Sequence, residues 1–114
     1  MNLPVFYVSV TEGVLQALSI SHEAAHFWGG LLLYGMAFCS PFARRAPTIP
    51  FLIVLTAELI NECLQAVHYG SWRIDDTLAD IGWTLLLPVV FLGFTLLLPH
   101  WPAAGRRADR LPAT

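Results

Sequence analysis

Residues 49–69, IPFLIVLTAELINECLQAVHY, form an apolar run longer than the half-buried helices of a soluble domain ordinarily show. At about 1.5 Å of rise per residue, a helix over this stretch crosses a hydrocarbon core of about 30 Å. A second run, TLADIGWTLLLPVVFLGFTLLL, covers 77–98. Pro88 and Gly93 inside it are kink positions that membrane helices tolerate when neighbours satisfy the freed carbonyls. A third, EAAHFWGGLLLYGMAFCSPF at 23–42, is slightly shorter; Pro41 marks its exit and Pro50 opens the next helix. Only 12% of the residues are charged and 56% are hydrophobic, whereas a soluble domain carries about 25% charge. That leaves too little polar surface to clothe a water-soluble globule. The chain reads as one all-α integral membrane helical bundle with three transmembrane helices.

The N-terminal stretch LPVFYVSVTEGVLQALSI is apolar enough to enter a bilayer, but Glu12, Gly13 and Gln16 interrupt it. These interruptions favour an interfacial or partly inserted helix within residues 1–20, with a fourth complete span as the alternative. No basic region or small-x-small cleavage site precedes the apolar stretch, so MNLP reads as the protein's own beginning and not as a signal peptide. The expected organisation is therefore an N-terminal segment at 1–20, a transmembrane helical domain at 21–99 and a basic tail at 100–114, read as partly disordered.

All six basic residues are arginines. Arg44 and Arg45 lie between the first two confident spans, and Arg106, Arg107 and Arg110 follow the last, so three spans put both clusters on one side. The excess of positive charge on cytoplasmic loops assigns that side to the cytoplasm, and residues 70–76 to the outer side. The arginines form no basic face, which excludes a nucleic-acid footprint. Cys39 and Cys63 sit in apolar segments without metal-ligand spacing and read as free thiols behaving as small hydrophobes.

The polar residues inside the apolar runs follow helical spacing. His22 and His26 are one turn apart. Glu58, Glu62 and Gln65 fall at i, i+4 and i+7, with Asn61 and Tyr69 near that stripe; Asp76 and Asp80 are again one turn apart, and Trp83 prolongs their face. Antiparallel order brings all three stripes to the outward half of the bundle. Glu58 lies deepest, about 18 Å below Gly70 by helix rise. A carboxylate at that depth costs roughly 2.5–3.5 kcal/mol to insert, so it must face the bundle and be neutral or paired. Asp75 or Asp76 is expected to cap the last helix, whereas Asp80 lies a turn deeper and is the stronger site residue.

The strings HEAAHFWGGLLLYG and ELINECLQAVHYGSWRIDDTLADIGWTLLLP resemble the VanZ-like family of small bacterial membrane proteins, over about residues 22–88. The resemblance rests on His26-Phe27, on Glu62 and Gln65, on the Gly70 loop, and on Asp76 and Asp80 leading the last helix. Asp80 stands where that family often has an Asn-like residue ahead of a glycine; the doubled Asp75-Asp76 and Glu58 also depart from its commonest pattern. Membership implies a cell-envelope role, in glycopeptide or lipopeptide resistance or in lipid-linked processes.

These residues admit different chemistries. His26, Glu62 and Asp80 are the candidate catalytic residues; His22, Glu58, Gln65 and Asp76 complete a polar site for a lipid head group. Acids alone repel phosphate, so such a site needs Arg73, His22 or a bound cation. HEAAH has the H-E-x-x-H spacing of a zinc helix, which makes His22, His26 and Glu62, or Asp80 in place of Glu62, candidate metal ligands. Short motifs recur by chance, and nothing else in the chain suggests a protease. The reading the sequence favours is an accessory or structural subunit whose polar stripe glues its helices or docks it onto a larger membrane complex, with a head-group-binding or processing site as the alternative. Three spans bury little surface, so partners are expected among membrane lipids, other membrane subunits or further copies of the chain.

Overall fold

The structure, a computed structural model, describes residues 2–98. The expected tail at 100–114 lies outside the described residues. The described residues form four α-helices: α1 (Leu3–Leu18), α2 (His22–Cys39), α3 (Ile49–Tyr69) and α4 (Ile74–Leu97), with a short 3₁₀ turn at Pro41–Arg44 between α2 and α3. Local chemistry sets most of these ends. Asn2 accepts the Val5 N–H to cap α1, and Ser19 closes it in a left-handed conformation at φ 52°. Ser21 then caps α2 by accepting the Ala24 N–H at 3.2 Å. Gly70, at φ 71°, ends α3 in the left-handed region that a glycine enters without steric cost.

α4 starts earlier than expected. Arg73 occupies its N-cap position without a side-chain capping bond, and Asp75 and Asp76 fall in the first turn. Neither acid is the cap; both lie where the helix dipole favours negative charge. Asp76 pairs with Arg73 at 2.5 Å.

α2 packs most extensively on α4 and next on α3, while α1 lies against α3. His22 meets Asp80 near one end and Tyr34 stacks on Phe91 near the other, so α2 and α4 run parallel. α3 returns between them. The buried stripes are Pro50, Val54, Glu58 and Glu62 on α3 and Asp80, Thr84 and Pro88 on α4, each at i, i+4 steps. On the outer faces stand Leu52, Leu59, Ile60, Val67, Leu78, Leu86, Val89 and Phe94. Acids inside and leucines outside invert the pattern of a soluble helix, and that inversion is what hydrocarbon as solvent requires.

Two helices, α3 and α4, are long and apolar enough to cross a membrane. α2 forms over the expected stretch, but His22, Glu23 and His26 in its first turns keep it from qualifying alone. It does so only together with α1, across a bend of 100°. α1 exposes Leu3, Phe6, Val10, Val14 and Leu18 and buries Val8.

Two features bring α2 and α4 together. Pro88 has no N–H, so the carbonyl of Thr84, four residues earlier, loses its helical donor. Gly30 sits directly against that carbonyl: a Cβ there would lie 2.2 Å from the Thr84 oxygen. The contact needs a glycine on α2 opposite a proline-freed turn of α4, and it sets the depth at which the histidines of α2 meet the acids of α4.

Candidate functional site

The four helices enclose a cavity of about 730 Å³, open at the end where α1 joins α2 and α3 joins α4. Glu58, Glu62, Asp80 and Thr84 make its buried floor, each no more than 6% exposed. His22, Glu23, Tyr69, Arg73 and Asp76 stand at its exposed mouth. All seven residues expected to form a site line this one cavity: His22, His26, Glu58, Glu62, Gln65, Asp76 and Asp80.

His26 is the hub. Its Nδ1 lies 3.0 Å from Thr84 Oγ1 and 3.2 Å from Glu58 Oε1. Its Nε2 lies 3.2 Å from His22 Nε2 and 3.4 Å from Asp80 Oδ2. His22 Nε2 is in turn 3.1 Å from Asp80 Oδ2. One imidazole thus touches acids from two other helices and the histidine one turn before it. Glu58 Oε1 is buried without a hydrogen-bonded partner, its distance to His26 Nδ1 being that of a charge contact and not of an aligned hydrogen bond.

Two overlapping sets have the spacing to hold a metal ion, His22–His26–Asp80 and His26–Glu58–Glu62. The expected trio of His22, His26 and Glu62 does not assemble as a set. Asp80 takes the third position beside the histidines, because α4 runs parallel to α2 and in contact with it, while Glu62 groups with Glu58 on α3. Asp76 stays at the surface with Arg73, away from the hub. Gln65 lines the wall, half-buried.

Further polar residues that carried no role as site residues in the sequence line the same cavity. Thr84 supports His26, and its position one turn beyond Asp80 on the same face is a signal that spacing alone contains. Tyr7 of α1 donates to Asn61 Oδ1 at 2.5 Å, and Asn61 Nδ2 donates to Glu62 Oε1 at 3.2 Å. Tyr69 donates to Glu12 Oε1 at 3.2 Å and lies under the Arg73 guanidinium, 5.2 Å from ring centre to Cζ. Of the interruptions of the N-terminal segment, Glu12 faces the cavity, and α1 forms one of its walls.

The charged groups of the lining are mainly acidic, with Glu12, Glu23, Glu58, Glu62, Asp76 and Asp80 against one arginine and two histidines. Such a cavity favours a bound cation, or the positive part of a zwitterionic ligand, with Arg73 at the mouth as the partner for an anion. Neither a family model, nor a curated protein, nor a solved structure matches this chain.

Proposed function

We propose that this chain is an integral membrane protein of VanZ-like type that binds the polar head group of a membrane lipid in the His26-centred cavity. In this reading α2, α3 and α4 cross the membrane, with α1 lying partly inserted beside them, and the cavity opens toward the cell exterior. The observation that carries it is the combination of a 730 Å³ cavity with an acidic floor and an outer surface of leucine, valine and phenylalanine. A lipid can leave its acyl chains on that surface while its head group enters the cavity. Carboxylates on the floor suit an ammonium group, and Arg73 at the mouth suits a phosphate.

The accessory-subunit reading has its own support in the large exposed aromatics Trp28, Phe38, Phe42 and Phe94, which offer a docking surface in the membrane. That reading leaves the cavity without a role.

Gly29 separates the two. It lines the cavity, and a Cβ there meets nothing within 4 Å. Gly29→Leu fills space without removing any polar group. Native mass spectrometry of the protein released from membranes in mild detergent is expected to show co-purifying lipid on the wild type and its loss from Gly29→Leu. Equal lipid retention by both, or a stoichiometric protein partner with no bound lipid, would reject the head-group site.

A further inference from the structure

We propose that His22, His26 and Asp80 form a tetrahedral zinc site with its fourth position open to the cavity. The three donor atoms, His22 Nε2, His26 Nε2 and Asp80 Oδ2, form a nearly equilateral triangle. Its sides are 3.1, 3.2 and 3.4 Å. With zinc–nitrogen and zinc–oxygen bonds of about 2.0–2.1 Å, neighbouring ligands at the tetrahedral angle lie about 3.3–3.4 Å apart. The right angles of an octahedral site would bring them to about 2.8–3.0 Å at the same bond length. The observed triangle therefore has the size of one face of a zinc tetrahedron.

With Asp80 ionised, protons alone do not satisfy this triangle. If His22 Nε2–H donates to Asp80, that nitrogen has no lone pair for a proton on His26 Nε2. If both rings carry a proton at Nε2, the two N–H groups crowd each other beside one carboxylate oxygen. If either Nε2 is bare, its lone pair faces the Asp80 carboxylate, at 3.1 Å for His22 and 3.4 Å for His26. A cation at the apex of the triangle turns all three contacts into bonds.

The surroundings of His26 point the same way. With Nε2 on the metal, its proton sits on Nδ1, which faces Thr84 Oγ1 at 3.0 Å and Glu58 Oε1 at 3.2 Å. A metal-bound imidazole characteristically turns its other N–H to a carboxylate or another oxygen, which fixes tautomer and ring plane. Glu58 is 6% exposed, and Oε1 has no hydrogen-bonded partner of its own. A proton held on Nδ1 by zinc at Nε2 donates to Thr84 Oγ1 and keeps the imidazole's positive edge against the Glu58 carboxylate. The role of Glu58 is thus to position His26. Two neutral histidines and one carboxylate leave the ion with a net positive charge. The open position can then take a water molecule or, if the head-group reading holds, a phosphate oxygen that the acids would otherwise repel.

The test uses the full chain in detergent, stripped with a chelator and titrated with Zn²⁺ against a chromophoric competitor. One zinc per chain is expected. His22 is half exposed, so His22→Ala does not threaten folding and is expected to weaken binding more than ~100-fold. Glu58→Gln is expected to weaken it ~10-fold, while Gly29→Leu leaves it unchanged. Co²⁺ replaces Zn²⁺ as a second probe: the intense visible bands of tetrahedral cobalt are expected in the wild type and absent in His22→Ala. Equal zinc affinity in wild type and His22→Ala, or a weak octahedral cobalt spectrum, would overturn the site. Zinc binding without co-purified lipid would sink only the head-group reading, and lipid retained by a protein that does not bind zinc would sink only this one.

Discussion

Gly30 shows how a single hydrogen atom in place of a methyl group governs the site. A Cβ at this position would lie 2.2 Å from the Thr84 carbonyl oxygen and 3.0 Å from its carbon. The obstacle is backbone, which cannot swing aside as a side chain can. Gly30→Ala must push α2 off α4 and with it move His26 away from Thr84 and Asp80. Overpacking of this kind costs typically about 1–3 kcal/mol. The expected outcome is a lower melting temperature in detergent together with weakened zinc binding, whereas the neighbouring Gly29→Ala, with open space around its Cβ, changes neither. A Gly30→Ala protein as stable as the wild type would show that the two helices are not in this contact. Local spacing does not single out Gly30, because the contact depends on its angular position opposite Thr84 of α4.

At the scale of the element, α1 is the segment whose character the sequence left most open. Its residues alternate between two environments. Tyr7 and Glu12 reach Asn61 and Tyr69 of α3, while Leu3, Phe6 and Leu18 face outward. A helix with this division lies stably where its outer stripe meets lipid and its inner face meets the polar wall of the bundle. The 100° bend at Ser19–Ser21 keeps it from extending α2 in a straight line. A cysteine at Phe6, in a protein whose Cys39 and Cys63 are replaced by serine, is therefore expected to resist a water-soluble maleimide, and a cysteine at Gln16 to react more readily. Rapid labelling of Phe6→Cys in intact membranes would place α1 in water and leave the cavity without that wall in the bilayer.

For the whole molecule, the orientation rests on charge. Arg44 and Arg45 sit at the end of the bundle opposite the cavity mouth, between α2 and α3. If positive charge is held on the cytoplasmic side, a reporter active only in the cytoplasm gives signal when fused after Thr114. One active only outside gives signal when inserted in the 70–73 loop. The reverse pattern would turn the cavity toward the cytoplasm and exclude an outer-leaflet ligand. The geometry of the His26 cluster is unaffected by that outcome, because it depends on helix contacts and not on which side of the membrane it faces.

The sequence by itself determined that this protein is helical and that α3 and α4 can cross a membrane, because apolar length is a property each segment carries alone. It also determined which residues share a face, since i, i+4 spacing is local geometry: Glu58 with Glu62, His22 with His26, Asp76 with Asp80. The partnerships were not local. Whether Asp80 or Glu62 completes the histidine pair depends on which helix lies parallel to α2 and at what depth, and that is set by Gly30 against the Thr84 carbonyl that Pro88 leaves free. Thr84 and Tyr7 took their roles for the same reason. Their partners, His26 and Asn61, lie 58 and 54 residues away along the chain, and only packing of the helices brings them within a hydrogen bond.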